Sequence, residues 1–409
     1  MSPTSAPGVG RLILLSALMG FASISTDFYL PAMPTMARDL AVSQGEMQWS
    51  ISGYLVGFSA GMLVWGPLAD RFGRKRPVAA GLVLFIIGSA GCALCQSGTA
   101  LLLWRLIQAT GACAGVVLSR AMVRDLIEGP RAAQMLSTLI TIMAVAPLIG
   151  PWAGAQIMVL SSWRVIFWTL VFIGLVTLAG LAVTDETLPP TRRRRQTLSA
   201  AMRAYAGLLS ERATLGYAGT GACLYAAVYA YIAGTPFAFI TYYHLPAAHY
   251  GLLFGTGIAG IMLVNQINIR LLPRLRQTSL LRSGAGLAAA SGLLTALAGY
   301  TGWGGLWGLA VPLFVLVSSS GLIVANSVAG ALAAHPHRAG AVSALVGALH
   351  YGSGCLSTAL VGLCANGTPA PMGAIIGLCG LGCAVFAGAV LQTGPRVGGP
   401  VQVTSAAGS

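Results

Sequence analysis

GPLADRFGRKRP, residues 66–77, is the most specific structural signal in this sequence. It lies between two apolar runs and places one acid, Asp70, beside four basic residues: Arg71, Arg74, Lys75 and Arg76. Gly66 is expected to allow close packing of helices, and Gly73 to allow a tight turn. A short basic loop between apolar runs predicts a turn at the cytoplasmic face of a membrane, where positive residues are retained.

The apolar pattern extends over the whole chain. Of 409 residues, 56% are hydrophobic and only 8% are charged, whereas soluble domains have about 25% charged residues. Runs long enough to cross a bilayer lie near 11–37, 47–68, 77–97, 101–123, 135–159, 163–183, 214–241, 249–271, 281–300, 303–332, 339–362 and 371–392. The alternating pattern of membrane strands is absent. We therefore predict an all-α integral membrane protein with 12 transmembrane helices, numbered here as spans 1 to 12.

The net charge of +14 comes mainly from basic clusters between the spans. The clusters follow span 2, flank spans 4 and 5, fill the stretch after span 6 and separate spans 8 and 9, whereas Arg38 and Arg164 lie on the other side. This asymmetry predicts a multi-pass protein of the bacterial cytoplasmic (inner) membrane with both termini in the cytoplasm. Contact with anionic lipid headgroups explains such clusters better than nucleic-acid binding does.

The most basic polar stretch divides the chain into two halves. We predict an N-terminal six-helix bundle over 1–186, a cytoplasmic linker over 187–213, a C-terminal six-helix bundle over 214–393 and a disordered cytoplasmic tail over 394–409. The halves resemble a weak repeat, because the arginine-rich segment 267–283 occupies in the second half the place of residues 66–77 in the first.

Clusters that would indicate an enzyme are missing from the sequence. The eight cysteines lie in or near apolar runs, as buried free thiols do. Cys92 and Cys95 form a single CxxC without a second pair, so no metal site is expected. Without a nucleophile constellation or a Walker-type phosphate loop, we expect neither an enzyme nor an ATP-driven pump, and no cofactor. The apolar run at the N-terminus has no cleavage site and is interpreted as the first span.

Residues 66–77 resemble the loop between spans 2 and 3 of the major facilitator superfamily: a glycine, then Asp-Arg, then Gly-Arg-Lys. The resemblance implies two six-helix bundles with a substrate site between them near the bilayer midplane. It also implies that Asp70, with Arg71 and Arg74, joins an ion-pair network that closes the cytoplasmic side in the outward-facing state. Arg124, at the end of span 4, is the candidate partner of Asp70. The alternative is a solvated loop that serves only topology.

WRLIQATGACAG, residues 104–115, resembles the span 4 signature of that family, Arg-x-x-Gln followed by small residues. An arginine within a span normally faces the bundle interior or a water-filled cavity. We therefore predict that Arg105 takes part in proton coupling through a carboxylate or the backbone of span 1. The alternative is an arginine that snorkels to the membrane interface.

APLIGPWAGA, residues 146–155, resembles the span 5 antiporter signature of drug exporters in the superfamily. Pro147 and Pro151 remove helical hydrogen bonds and are expected to kink the segment, while Gly150 and Gly154 present a small-residue face to a neighbouring helix. Since Gly-Pro kinks also occur in importers, the association with export comes from the resemblance.

Three further stretches, 25–34, 231–255 and 335–354, look like the Bcr/CflA drug-resistance transporters. That family includes bicyclomycin and chloramphenicol/florfenicol exporters, and its substrates vary. The resemblance covers most of the chain from about residue 20 to 365. It implies a drug:proton antiporter.

Asp27 is the one acidic residue well within a span, because the other eight lie in loops or at helix ends. An apolar environment disfavours a charged carboxylate and a nearby arginine favours it, so proton binding would depend on conformation. We predict that Asp27 and Arg105 couple protons to transport. The alternative is an aspartate that caps a break at Pro31.

Aromatic and polar residues near Asp27 are candidate substrate contacts, because drug-sized pockets combine apolar walls with a few polar groups. With Asp27 itself they are Tyr29, Tyr54, Phe58, Gln108, Tyr225, Tyr229, Phe237, Asn265, Asn326 and His350. One acid beside one base suits neutral or zwitterionic antibiotics, such as phenicols or bicyclomycin, better than strong cations. The predicted function is antibiotic efflux by a monomer that uses the proton gradient. A metabolite transporter for amino acids or nucleosides, and a non-transporting receptor, are the alternatives.

Overall fold

The computed structural model describes residues 9–126, 130–193 and 198–389, which form helices and no strands. The helices of the first half are α1 (Val9–Asp27), α2 (Met33–Asp39), α3 (Gln44–Phe72), α4 (Lys75–Leu94), α5 (Gly98–Leu126), α6 (Pro130–Leu160) and α7 (Trp163–Ala182). Those that follow are α8 (Leu198–Leu209), α9 (Arg212–Thr235), α10 (Ala247–Leu271), α11 (Gln277–Thr301), α12 (Gly305–Ala333), α13 (Ala339–Leu363) and α14 (Ala370–Ala389). The predicted tail, 394–409, lies outside the described residues.

Eleven spans among the described residues are long and apolar enough to cross a membrane. The twelfth is α6, whose 31 residues extend about 46 Å at 1.5 Å per residue. It continues through both Pro147 and Pro151 as one helix. The all-α membrane fold expected from the sequence is therefore confirmed, and α8 is an additional short helix in the predicted linker.

The first span is not one continuous helix. α1 ends at Asp27, a short 3-10 turn follows at Leu30–Ala32, and α2 completes the span. Pro31 lies at the start of this turn, where its missing N–H and fixed φ break an α-helix least expensively. Asp27 therefore terminates a helix inside the protein, and it lies well within the span Gly10–Asp39, as expected from the sequence.

The helix α3 has well-defined ends. Ser43 accepts a hydrogen bond from the N–H of Glu46, and the Glu46 carboxylate accepts one from the N–H of Ser43, which forms a capping box. At its other end Gly73 has φ +89°, a conformation that favours glycine. These ends fix the length of a helix that lies against both halves of the molecule.

The halves form two bundles that meet along two helix pairs. In the first, α5 packs against α3, α4 and α1; in the second, α9 packs against α13 and α14, and α11 against α12 and α14. Contacts between the bundles run mainly through α3 with α13 and α6 with α10. We call the end with the 66–77 loop the basic end and the end with residues 40–43 the opposite end. At the basic end, α8 packs on α3, α9 and α13.

Candidate functional site

A buried polar cluster lies inside the first bundle, around Arg105. This side chain is 0% exposed, so it does not snorkel. Its Nη1 donates to the carbonyl oxygen of Ser25 on α1 at 2.7 Å and to Oε1 of Gln108 at 2.6 Å. The amide of Gln108 in turn donates to Ser89 Oγ at 2.8 Å. The predicted contact between Arg105 and the first span is thus made to its backbone.

Two tyrosines enclose the guanidinium of Arg105. Its Cζ lies 4.2 Å from the ring centroid of Tyr29 and 4.4 Å from that of Tyr54, which is within the range of cation–π attraction. The hydroxyl of Tyr54 is 2.7 Å from Ser25 Oγ, and that of Tyr29 is 3.3 Å from Ser50 Oγ. Among the described residues, Nε and Nη2 of Arg105 are buried without a hydrogen-bond partner, so this cation has unused donors for a nearby carboxylate.

Asp27 lies next to this cluster and is 5% exposed. Its carboxylate accepts a hydrogen bond from Thr26 Oγ1 at 3.3 Å and interacts electrostatically with Arg105. The two residues do not form an ion pair among those found in the described part of the chain. In this conformation, therefore, Asp27 and Arg105 interact electrostatically without a direct ion pair between them.

The glycines of the span 5 signature support the break after Asp27. A Cβ at Gly150 would lie 2.9 Å from the Cβ of Asp27, and one at Gly154 would meet the carbonyl oxygen of Phe28. On the other side of α6, a Cβ at Gly251 of α10 would lie 3.0 Å from the backbone nitrogen of Trp152. The small-residue face expected from Gly150 and Gly154 thus lies against the interrupted first span.

Aromatic side chains from both bundles form a continuous layer on the side of Asp27 that faces the basic end. We call this layer the aromatic plug; it comprises Tyr54, Phe58, Tyr225, Tyr229, His350 and Tyr351. The rings of Phe58 and Tyr351 join the bundles with centroids 4.2 Å apart, and those of Tyr225 and His350 stack at 4.3 Å. Tyr351 was not among the predicted contacts, although its position beside His350 was the available signal.

A cavity of about 390 Å³ lies at the basic end, between the bundles. Its walls come from α3, α5, α8 and α13 with the residues before it: Met62, Gly66, Pro67, Asp70, Arg74, Val117, Leu118, Arg120, Ala121, Arg124, Ala201, Ala204, Tyr205, His337, Arg338, Gly340, Ala341, Ser343 and Ala344. Tyr54, Phe58, Met62 and Gly66 follow one another at successive turns of α3. The plug therefore separates the cavity from the Arg105 cluster.

Direct contacts close the opposite end. Ser52 Oγ lies 2.7 Å from Thr358 Oγ1, and Gln48 Nε2 donates to the carbonyl oxygen of Ala233 at 3.2 Å. The turn Leu30–Ala32 packs on α10 and on the π-helical segment Pro236–Tyr242 that extends α9. Sequence reasoning missed these closing residues, whose only signal was a polar side chain within an apolar span.

Three predicted substrate contacts lie away from both the plug and the Arg105 cluster. Phe237 is in the π-helical segment near the opposite end and lines a separate small pocket with Gln48. Asn326 Nδ2 donates to Asn268 Oδ1 at 2.8 Å and thereby joins α12 to α10, while the backbone nitrogen of Asn265 faces Gly321 of α12. Both asparagines therefore occupy helix-packing positions. The side-chain amide of Asn326 hydrogen-bonds within the second bundle, and the backbone of Asn265 lies in the contact between α10 and α12.

The predicted gate at residues 66–77 has a different ion pair from the one expected. Nη1 of Arg74 lies 2.7 Å from Oδ1 of Asp70, and its Nε lies 2.8 Å from Oδ2 of Asp125. The exposed Arg124 is not the partner of Asp70 here, because Arg74 turns back after Gly73 and takes that place. Burial lowers the pKa of Arg74, but its bonds to the two carboxylates outweigh burial and raise the pKa overall.

Two other predicted gate residues are also placed by the structure. Arg71 is exposed, with its Cζ 5.2 Å from the ring centroid of Phe72. Gly66 faces open space in the cavity, and a Cβ there would meet no atom within 4 Å. The expectation that Gly66 permits close helix packing is therefore wrong for this conformation, in which the cavity lies beside Gly66.

Glu186, after α7, holds the basic loop from outside. Its carboxylate accepts hydrogen bonds from the backbone N–H groups of Arg74 at 2.7 Å, Lys75 at 3.1 Å and Leu188 at 3.0 Å. A Cβ on Gly73 would collide with this carboxylate, so the tight turn needs glycine for space as well as for its φ. Burial raises the pKa of Glu186, but the three hydrogen bonds outweigh it and hold the pKa below its ordinary value.

This arrangement defines a class of protein, a helical membrane transporter with a cavity between two bundles. A family model described as Major Facilitator Superfamily matches residues 14–359, and the chain belongs to this superfamily. The family resemblance seen in the sequence is thereby confirmed, and membership identifies a transporter, as expected for a chain without enzyme motifs.

Several proteins of known sequence are similar over most of their length. The chain is 33% identical to the uncharacterized MFS-type transporter YdgK of Bacillus subtilis, with 85% of this chain and 87% of that protein covered. It is 28% identical to a bicyclomycin resistance protein homolog of Haemophilus influenzae, covering 84% and 87%. It is 30% identical to a chloramphenicol resistance protein of Pseudomonas aeruginosa, covering 82% and 79%.

Solved structures share the fold. The nucleoside transporter NupG aligns with TM-score 0.74 and 12% identity, over 93% of this chain and 98% of that one. The xylose transporter XylE from E. coli, in a partially occluded inward open conformation, aligns with TM-score 0.70 and 14% identity, over 96% and 100%. At these identities the likeness concerns the fold alone.

Proposed function

We propose that this protein exports small antibiotics across the bacterial cytoplasmic membrane in exchange for protons. Relatives that match most of their length are named for resistance to bicyclomycin and chloramphenicol, which supports drugs as substrates. One structural observation carries the coupling mechanism: a buried carboxylate, Asp27, lies three residues before the turn Leu30–Ala32, which contacts the second bundle. Relative movement of the bundles therefore acts on the segment that holds Asp27.

The geometry supports alternating access through the aromatic plug. In this conformation the cavity lies at the basic end, and Ser52, Thr358 and Gln48 close the opposite end. Substrate enters the cavity and contacts the plug. When the bundles rock, the closing contacts separate, the turn Leu30–Ala32 moves, and Asp27 becomes accessible from the other side. A proton neutralises Asp27 there as substrate leaves. On return to the present conformation, Arg105 favours the charged carboxylate, and the proton leaves Asp27 towards the basic end.

The direction of transport rests on the orientation of the chain. We assign the basic end to the cytoplasm by the positive-inside rule, which places both termini there. The present conformation is then inward-facing, and loading of drug from the cytoplasm follows. The proposal includes a monomer in contact with membrane lipid, driven by the proton gradient without a cofactor, for neutral or zwitterionic antibiotics such as phenicols or bicyclomycin.

The test is drug-dependent proton movement in proteoliposomes with the purified protein. A pH-sensitive dye inside the vesicles should report proton flux when chloramphenicol or bicyclomycin is added. Drug that flows into the vesicles should drive protons out, and protons that flow out should drive drug in. A protein that moves an amino acid or a nucleoside but none of a dozen antibiotics would replace this proposal with metabolite transport. The absence of any transport would point to a receptor.

A further inference from the structure

One arginine of the basic-end cavity has no ion-pair partner within the part of the chain that the structure describes. Arg120 lines the cavity, and its Nε is buried without a hydrogen bond. It forms no ion pair among those found between described residues. Arg120 is half-buried, and partial loss of water without a counter-charge is unfavourable for a cation, so this arrangement favours a ligand that supplies negative charge.

The other charged residues of the cavity leave it positive. Asp70 is the acid in the cavity wall, and Arg74 already neutralises it at 2.7 Å. Arg338 lies 3.9 Å from Glu211, whereas Arg124 forms no ion pair with another described residue. Arg120 and Arg124 lie four residues apart, on the same face of α5. Two unpaired guanidinium groups therefore face one cavity of about 390 Å³.

The aromatic plug lies within electrostatic range of Arg120. This arginine interacts electrostatically with the hydroxyl groups of Tyr225 and Tyr351. A flat ring can pack against the plug while an oxygen-rich group of the same molecule reaches the guanidinium, and guanidinium groups bind such oxygens through paired N–H donors. An organic cation in the same position would be repelled by both arginines.

We propose that Arg120 determines substrate specificity by binding an anionic or strongly electronegative oxygen group of an aromatic substrate, and that the cavity disfavours organic cations. This inference rests on the proposed function for the role of the cavity and goes further in naming the charge preference and its residue. It concerns equilibrium binding, so it is testable without a proton gradient.

Two dyes with the same xanthene ring and opposite charge provide the probe: fluorescein, an anion, and rhodamine 123, a cation. Binding to the protein in nanodiscs of zwitterionic lipid is measured by fluorescence anisotropy, with empty nanodiscs subtracted. We expect tighter binding of fluorescein. Arg120→Gln should weaken fluorescein binding about tenfold or more, the value of one charged hydrogen bond, and should not weaken rhodamine 123 binding. Arg120→Lys should retain part of the affinity.

Matched variants separate this site from the general positive charge of the basic end. Arg282 is exposed on α11 and outside the cavity wall, so Arg282→Gln should leave both dyes unaffected. Ser343 is an exposed residue of the cavity wall, and Ser343→Asp should weaken fluorescein and favour rhodamine 123. This second variant decides the matter if Arg120→Gln does not fold.

Three results would overturn the inference: no fluorescein binding by the folded protein, equal or tighter binding of rhodamine 123, or equal effects of the Arg120 and Arg282 variants. If drug-dependent proton transport is observed alongside any of these, the proposed function stands and the charge preference falls. If dye selectivity is as expected but no transport occurs, the reverse holds.

Discussion

The carboxylate of Glu186 is expected to be one of the strongest single supports of the basic loop, and Glu186→Gln tests this. Glutamine keeps the shape but offers one acceptor oxygen to the three N–H donors of Arg74, Lys75 and Leu188. At least one hydrogen bond is lost and the others become neutral. Bonds to a charged group contribute about 1.5–3 kcal/mol and neutral ones about 0.5–1.5 kcal/mol. Allowing for partial exposure, we expect a loss of about 2 kcal/mol in the free energy of unfolding.

The neighbouring acid provides the control. Asp185 has a side chain that is 82% exposed and pairs with Arg11 at 3.1 Å on the surface, and such pairs contribute about 0–1 kcal/mol. Asp185→Asn should therefore change stability by much less than Glu186→Gln. Both are measured by unfolding in mixed micelles, followed by tryptophan fluorescence at pH 7. Equal effects of the two substitutions, or a stable Glu186→Gln protein, would refute the reasoning.

The pH dependence gives a second readout for Glu186. Its pKa in the folded protein lies below the ordinary carboxyl value, so its stabilising contribution is complete above the pKa of the unfolded chain, about 4.3. The contribution disappears as the pH falls through the folded pKa. The difference in stability between the wild-type protein and Glu186→Gln should be constant near neutral pH and shrink below about pH 4.3. A difference that grows with acidification would contradict this sign.

Three further predictions concern the packing and the movement of the bundles. Ser52→Cys with Thr358→Cys should form a disulfide under oxidation, since the native oxygens lie 2.7 Å apart, and should stop drug export until a reductant is added, while each single variant transports normally. Gly154→Ala should destabilise the protein by about 1–3 kcal/mol, because its Cβ would meet the carbonyl oxygen of Phe28. Gly66→Ala should be neutral, and both are measured by the unfolding assay in mixed micelles. Gly66→Leu should fold but transport slowly in vesicles, since closure of the basic end must bring its side chain against the facing wall; wild-type transport by this variant would contradict that role.

Much of the fold could be predicted from local sequence. Apolar length determines where a chain can cross a bilayer, and the spans of the structure begin and end within a few residues of the expected positions. The turn at Gly73 could also be predicted, because its conformation depends on residues nearby in sequence. The break at Asp27 was stated only as an alternative, since proline effects depend on the packing around them.

The parts of the site that were missed depend on contacts distant in sequence. Ser52 meets Thr358, and Glu186 meets Arg74, over separations that no local pattern reveals. Asn326 was a reasonable pocket residue by depth, but its partner Asn268 lies on another helix. The partner of Asp70, Arg74, lies four residues further along the chain, and the choice between Arg74 and Arg124 depends on how the chain turns at Gly73, which the family resemblance did not specify.

The central claim is that protonation of Asp27 drives export, and Asp27→Asn tests it most directly. The measurement compares two assays of the same proteoliposomes: exchange of labelled chloramphenicol for unlabelled drug without a gradient, and accumulation of the drug driven by a pH gradient. The Asp27→Asn protein should still exchange drug but should no longer accumulate it or move protons. An Asp27→Asn protein that concentrates drug with the wild-type dependence on the pH gradient would contradict it.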